Sequence, residues 1–185
     1  MPKTLIFNGS PRKNGDTAAL VNVLTDALEG ECRIVRCYDA DISPCIDCRA
    51  CKSSFVCSLK DEMQEIYRFI GECDNVVIAS PLYYSEVTGK LLDVASRFQI
   101  YYSARAFRHV IPDIRAKRGG IILVGGGDGK PDKAYSTSVT LLHHINTAEI
   151  FPLVCSHSTD TLPAAEDMEA LNGVRRLADF LNRKI

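Results

Sequence analysis

The segment CIDCRACKSSFVC, residues 45–57, puts four cysteines into thirteen positions. Thiolates are soft ligands for iron and zinc, and they are also nucleophiles and redox groups. Gaps of two, two and five residues allow one loop to carry Cys45, Cys48, Cys51 and Cys57 around a common centre. The same run can also fold as a helix, with three thiols along one flank turned into a core where free cysteine acts as a small hydrophobe. A metal or cluster site, a redox switch and buried reduced thiols are therefore all open from these residues alone. The other four cysteines, Cys32, Cys37, Cys73 and Cys155, fall in or beside apolar runs and read as core.

Three further stretches carry ligand chemistry. GSPRKNGDT, residues 9–17, sets Ser10, Asn14 and the charges of Arg12 and Lys13 between two glycines that bare backbone N–H groups, with the Thr17 hydroxyl just beyond them, a design for a terminal phosphate. It is not a nucleotide P-loop, because Gly9 to Gly15 is one residue too wide and no Lys-Ser/Thr pair closes it; nor does it contain GxGxxG. SPLYYSEVTGKL, residues 80–91, offers Pro81, Leu82, Tyr83 and Tyr84 as a surface on which a planar ligand can stack. GGGDGKPD, residues 125–132, lets the amides of Gly126, Gly127 and Asp128 approach a ligand closely.

The chain that must position these groups has 185 residues, 46% hydrophobic and 24% charged, with a formal net charge of -1. That is the size of one domain, expected over 1–185. Interspersed charges exclude the basic stripe of a nucleic-acid binder. No run approaches ~18 apolar residues, so no membrane span is expected. MPKTLIFNGS lacks the basic flank and apolar core of a secretion signal, so the expected location is cytoplasmic, where eight cysteines are not a disulfide framework. Apolar runs predict strands at 3–7, 32–38, 75–81, 119–127 and 149–156. Helical spacing predicts helices over 17–28, 61–73, 89–102, 133–145 and 166–182. Pro152 demotes the fifth strand to a sheet edge or a bulge.

Strict alternation of strand and helix predicts an α/β fold, a parallel sheet of order 2-1-3-4-5 covered by helices on both faces. Its ligand site belongs at the carboxyl ends of strands 1, 3 and 4, and the three polar stretches follow those strands. A phosphate at the first loop and a flat ring between the other two describe a mononucleotide with a large planar head, which suits FMN better than ATP or NAD.

GSPRKNGDT, SPLYYSEVTGKL and the glycine loop closely resemble the NADPH-dependent FMN reductase family of flavodoxin-like proteins, over nearly the whole chain. The resemblance implies a three-layer flavodoxin-like sandwich. It puts the FMN phosphate on Ser10, Arg12 and Thr17, to which Asn14 is added as a phosphate contact, and the isoalloxazine against Pro81, Leu82, Tyr83, Tyr84, Gly126, Gly127 and Asp128. It further implies hydride transfer from NAD(P)H to flavin N5, and then reduction of a small acceptor such as a quinone, flavin, nitro or azo compound, or metal ion. No side chain is expected as an obligate acid or base. Homodimers or homotetramers are expected, with the aromatic segment 98–107 as a contact surface. Three positions depart from the family pattern: Asp16 stands where the family often has Asn, and Leu92 and Ser96 stand where it commonly has Lys and Asp, although Arg97 is kept.

PCIDCRACKSSFVC, followed by KDE, is similar to the segment of the iron–sulfur flavoprotein branch whose C-x2-C-x2-C-x5-C holds a [4Fe–4S] cluster. That likeness makes Cys45, Cys48, Cys51 and Cys57 its ligands, and implies as an alternative an electron carrier between a ferredoxin-like donor and FMN. Buried thiols, zinc and a regulatory disulfide stand beside the cluster reading. His143 and His144 are adjacent on a predicted helix and point apart, so one should pack and one should be solvated.

Overall fold

A computed structural model describes residues 1–183. Three central strands are apolar runs buried along almost their whole length: β1 (Lys3–Asn8), β3 (Asn75–Pro81) and β4 (Lys117–Val124). β2 (Glu31–Arg36) lies at one edge and is mostly exposed or half-exposed. At the other edge β5 (Thr147–Ile150) and β6 (Val154–Ser156) both pair with β4. Every pairing is parallel and the order is β2-β1-β3-β4-β5, with β6 alongside β4 as well.

Successive strand residues point to opposite faces, and the core divides accordingly. Leu5, Phe7, Val76, Ile78, Ile121 and Leu123 pack on one face. Their partners there come from α2 (Met63–Glu72), α3 (Gly89–Ala95), α4 (Gln99–Ala106) and α5 (Asp132–His144). Ile6, Val77, Ile122 and Val124 pack on the other, against α1 (Asp16–Ala27) and α6 (Met168–Leu181). This is the flavodoxin-like, three-layer arrangement expected from the alternation.

Two elements differ from the sequence expectation. The single fifth strand is two short pieces, because Pro152 has no N–H to give β4; Phe151 N–H still reaches Gly119 O at 2.9 Å before the break. The single helix expected over 89–102 is α3, a 3-10 turn at Ser96–Phe98, and then α4. That turn is where Ser96 and Arg97 leave the helix to meet the cysteine loop. No described helix is long and apolar enough to cross a membrane.

Candidate functional site

The loops after β1, β3 and β4 meet in one cleft of about 430 Å³, counted to its open mouth. Its lining combines Ser10, Arg12 and Thr17 from the first loop, Pro81, Leu82 and Tyr83 from the second and Gly126 from the third. The first loop is held in shape from within. Ser10 N–H donates to Asn8 Oδ1 (2.9 Å), and Ser10 Oγ accepts from Arg12 N–H (3.2 Å). Gly9 is clamped between strands and helix: its N–H donates to Ala79 O (2.8 Å), and its carbonyl accepts from buried Thr88 Oγ1 (2.8 Å). A Cβ at Gly9 would come within 2.9 Å of Thr88 Oγ1 and of Leu91 Cδ1, so a larger residue there would push the loop off α3. Gly15 starts α1 with no side-chain cap, leaving the first-turn N–H groups toward the cleft.

Asp16 also lines the cleft, and its carboxylate is engaged: Oδ1 accepts Ala164 N–H at 3.0 Å and ties the first loop to the segment before α6. Lys13 pairs with Asp39 at 3.6 Å on the surface. Asn14, Tyr84, Gly127 and Asp128 are exposed and do not line the cleft. Tyr84 instead sits at the tip of a two-residue hairpin. Tyr83 N–H donates to Glu86 O (2.8 Å), Glu86 N–H to Tyr83 O (3.0 Å), and Tyr84 and Ser85 between them have φ of 54° and 61°. Two non-glycine residues in the left-handed region are strained, and such strain concentrates at ligand sites.

The sequence reading missed the third support of the cleft. After β6, Ser158, Thr159 and Asp160 donate backbone N–H groups to Gly127, Gly125 and Gly126 carbonyls at 2.9, 3.0 and 3.2 Å. They lace that segment onto the glycine loop and bring Thr159 into the lining. The clue was the polar run HSTDT directly after the last strand.

A second, smaller hollow is lined by Cys45, Cys48, Cys51 and Cys57 together with Tyr67 and Arg97. The loop is not a helix. It is irregular up to Arg49, with Asp47 and Arg49 left-handed (φ 47° and 64°), and closes in a 3-10 turn at Ala50–Lys52. None of the four thiols is buried: Cys45 and Cys48 are exposed, Cys51 and Cys57 half-buried. This corrects the buried-thiol alternative. The Ser58 hydroxyl, 2.9 Å away, and then the Ala50 N–H draw the Cys48 thiol below its ordinary pKa. Cys51 Sγ donates to Ser103 Oγ at 3.3 Å. Cys57 Sγ accepts from Arg97 Nη2 at 3.2 Å.

Arg97 is 2% exposed and ion-paired to Asp61, with Nη1 2.6 Å from Oδ2. Burial acts to lower the guanidinium pKa, but Asp61, Tyr67 and Cys57 together outweigh it and the pKa is raised. Its Nε is buried without a partner. Among the described residues no group of three or more His, Cys, Asp or Glu side chains is arranged to hold a single metal ion. A tetrahedral zinc would need that convergence, whereas a cubane cluster bonds each thiolate to a different iron. Four unburied thiols around one cavity, cations at Arg49, Lys52 and Arg97 in its lining and an orphaned buried N–H fit an anionic cluster better than zinc.

Of the remaining cysteines, Cys37 and Cys73 are core, and burial pushes both thiols up to about 12. Cys32 is not core: it lies exposed on edge strand β2. Cys155 is half-buried, with Sγ 3.1 Å from His157 Nε2. His144 packs edge-to-face on Tyr102 while His143 is exposed, the division expected of adjacent helical residues.

Residues 2–161 match the family model described as NADPH-dependent FMN reductase. The chain belongs to this family. Within it, an iron-sulfur flavoprotein from Archaeoglobus fulgidus is 33% identical over 128 residues, covering 68% of this chain and 55% of that one. The chain thus spans about half the length of that curated relative. Two solved structures share the FMN reductase fold. RosB with a bound 8-demethyl-8-formylriboflavin-5'-phosphate intermediate gives a TM-score of 0.73 at 19% identity, over 97% of this chain and 77% of its own. An NAD(P)H:quinone oxidoreductase from Methanothermobacter marburgensis gives 0.70 at 13% identity, over 100% and 98%.

Proposed function

We propose that the chain is an FMN-dependent oxidoreductase that draws reducing equivalents from NAD(P)H and passes them to a small acceptor. The observation that carries this reading is the convergence of three strand-end loops on one cleft with a polar, amide-rich end and an apolar end. Ser10, Arg12, Thr17 and the open start of α1 suit a terminal phosphate, and Pro81, Leu82 and Tyr83 suit the flat face of a ring. FMN, when bound, would supply the hydride chemistry through its N5. The protein's part is to bind, orient and shield. Thr88 and Ala79 fix the phosphate loop through Gly9, and the Ser158–Asp160 lacing fixes the glycine loop. Quinones, free flavin, nitro or azo compounds and metal ions are the candidate acceptors. A cytoplasmic homodimer or homotetramer is part of the same proposal.

The cysteine cavity favours a second reading, in which the same FMN exchanges electrons with a [4Fe–4S] cluster on Cys45, Cys48, Cys51 and Cys57, fed by a ferredoxin-like donor. Protein purified without oxygen, assayed for FMN, iron and acid-labile sulfide, separates the two. FMN with about four irons per chain supports the carrier, and FMN without iron supports the NAD(P)H-driven enzyme. A chain that binds no FMN on titration would falsify both. Arg12→Ala should weaken FMN binding by about 10- to 100-fold, the cost of about 1.5–3 kcal/mol for one hydrogen bond to a charged group.

A further inference from the structure

The turn between α3 and α4 grips the cysteine loop at both ends. At the loop's start, Ser96 Oγ accepts Cys45 N–H at 2.9 Å and Arg97 Nη1 donates to Ser43 O at 2.8 Å. At its end, Arg97 holds Asp61 with both terminal nitrogens (2.6 and 3.2 Å) and reaches Cys57 Sγ with Nη2. Tyr67 in turn donates its hydroxyl to Arg97 O at 2.9 Å and lines the same cavity. A guanidinium this buried needs one carboxylate for its charge, and Asp61 supplies it. The contact to sulfur and the unpartnered Nε are surplus to that need. Cys48 and Cys51 face neutral hydroxyls, of Ser58 and Ser103, while Cys57 faces a full positive charge.

Hydrogen bonds to ligand sulfur and nearby positive charge both stabilise the reduced, more negative state of a cluster. We propose that Arg97 is the positioning residue of the cysteine centre: it holds both ends of the loop around one cavity and, through its hydrogen bond to Cys57 Sγ, raises the reduction potential of the cluster bound there. The inference rests on the cluster reading of the cavity. It concerns the outer partner of a ligand, and it makes Arg97 a tuner of driving force between the two centres.

The test uses the whole chain, loaded anaerobically with iron and sulfide, in wild type, Arg97→Lys and the double variant Asp61→Asn/Arg97→Gln. The double variant removes both halves of the buried pair and so leaves no uncompensated charge. Iron and sulfide are counted per chain, and the cluster's midpoint potential is read by electron paramagnetic resonance during a redox titration. The flavin's potential in the same sample is the internal reference. The expected result is a lower cluster potential in the double variant, a smaller drop in Arg97→Lys, and an unmoved flavin potential. Equal cluster potentials in all three loaded proteins would overturn the role of Arg97 and leave the cluster intact. A wild-type chain that takes up no iron overturns the cluster reading itself, and the role of Arg97 with it.

Discussion

Asp61 and Arg97 form the most buried ion pair among the described residues, and each neutralises the other where water cannot help. Their side chains are 11% and 1% exposed. Asp61→Asn leaves the guanidinium buried and uncompensated, which should cost about 3–5 kcal/mol. Urea unfolding should show this as a lowered midpoint, and Asp61→Asn/Arg97→Gln should recover part of it. Sequence alone revealed the four cysteines because thiol spacing is written locally. It named Arg97 as a retained family residue but not as a thiol partner, since residues 57 and 97 meet only through the packing of α3 and α4 over the loop. Thr159 escaped notice for a related reason: its place in the cleft depends on the N–H groups of 158–160 pairing with the carbonyls of Gly125, Gly126 and Gly127, a contact between loops far apart in the chain.

At the scale of elements, the hairpin between β3 and α3 is under local strain that the sequence conceals. A two-residue hairpin with both central φ positive ordinarily takes Asn-Gly, and here it carries Tyr84-Ser85. The turn is anchored, with Ala134 N–H donating to Ser85 O at 3.1 Å and Thr137 and Lys133 both engaging Glu86. Tyr84→Asn with Ser85→Gly should therefore stabilise the free protein by about 1–2 kcal/mol, visible as a higher thermal midpoint. If the exposed Tyr84 ring covers bound flavin, the same change should weaken FMN affinity; a variant more stable with unchanged affinity would assign the strain to the fold alone. The strands and the three strand-end loops were legible because continuous apolar runs and glycine-rich polar breaks are strong local signals. The break in the helix over 89–102 was not, because residues 96–98 keep helical polarity and differ only in what they must reach.

For the whole molecule, two carboxylates tie distant elements together and set its acid limit. Asp61 joins the cysteine loop to the α3–α4 turn; Asp167 caps α6 by accepting from Glu169 and Ala170 N–H and also accepts from Ser156 Oγ of β6. Burial acts to raise both pKa values, but Arg97 and backbone N–H groups at Asp61, and the Ala170 N–H and Ser156 hydroxyl at Asp167, outweigh it and hold both below the usual range. A depressed folded pKa contributes stability that is fully present above the unfolded value of about 3.9 and is lost as pH falls through the folded one. Urea midpoints should thus slip as pH falls through about 6.5, where burial holds the His144 pKa down and protonation favours the unfolded chain, and drop further below about 4. Asp167→Asn should be weaker at neutrality yet flatter in acid.

The interruption at Pro152 has a colloidal consequence. A sheet edge with a long row of free amides is a template on which another chain can add a strand. Here the β4 side ends in strands of four and three residues with a proline between them, too short and too bent to recruit one. The opposite edge, β2, carries Glu31, Arg33 and Arg36, so an approaching copy would have to desolvate charge to pair with it. The protein guards its two flanks by different means, broken length on one and charge on the other, and Pro152→Val is the change expected to open the first to self-association at high concentration.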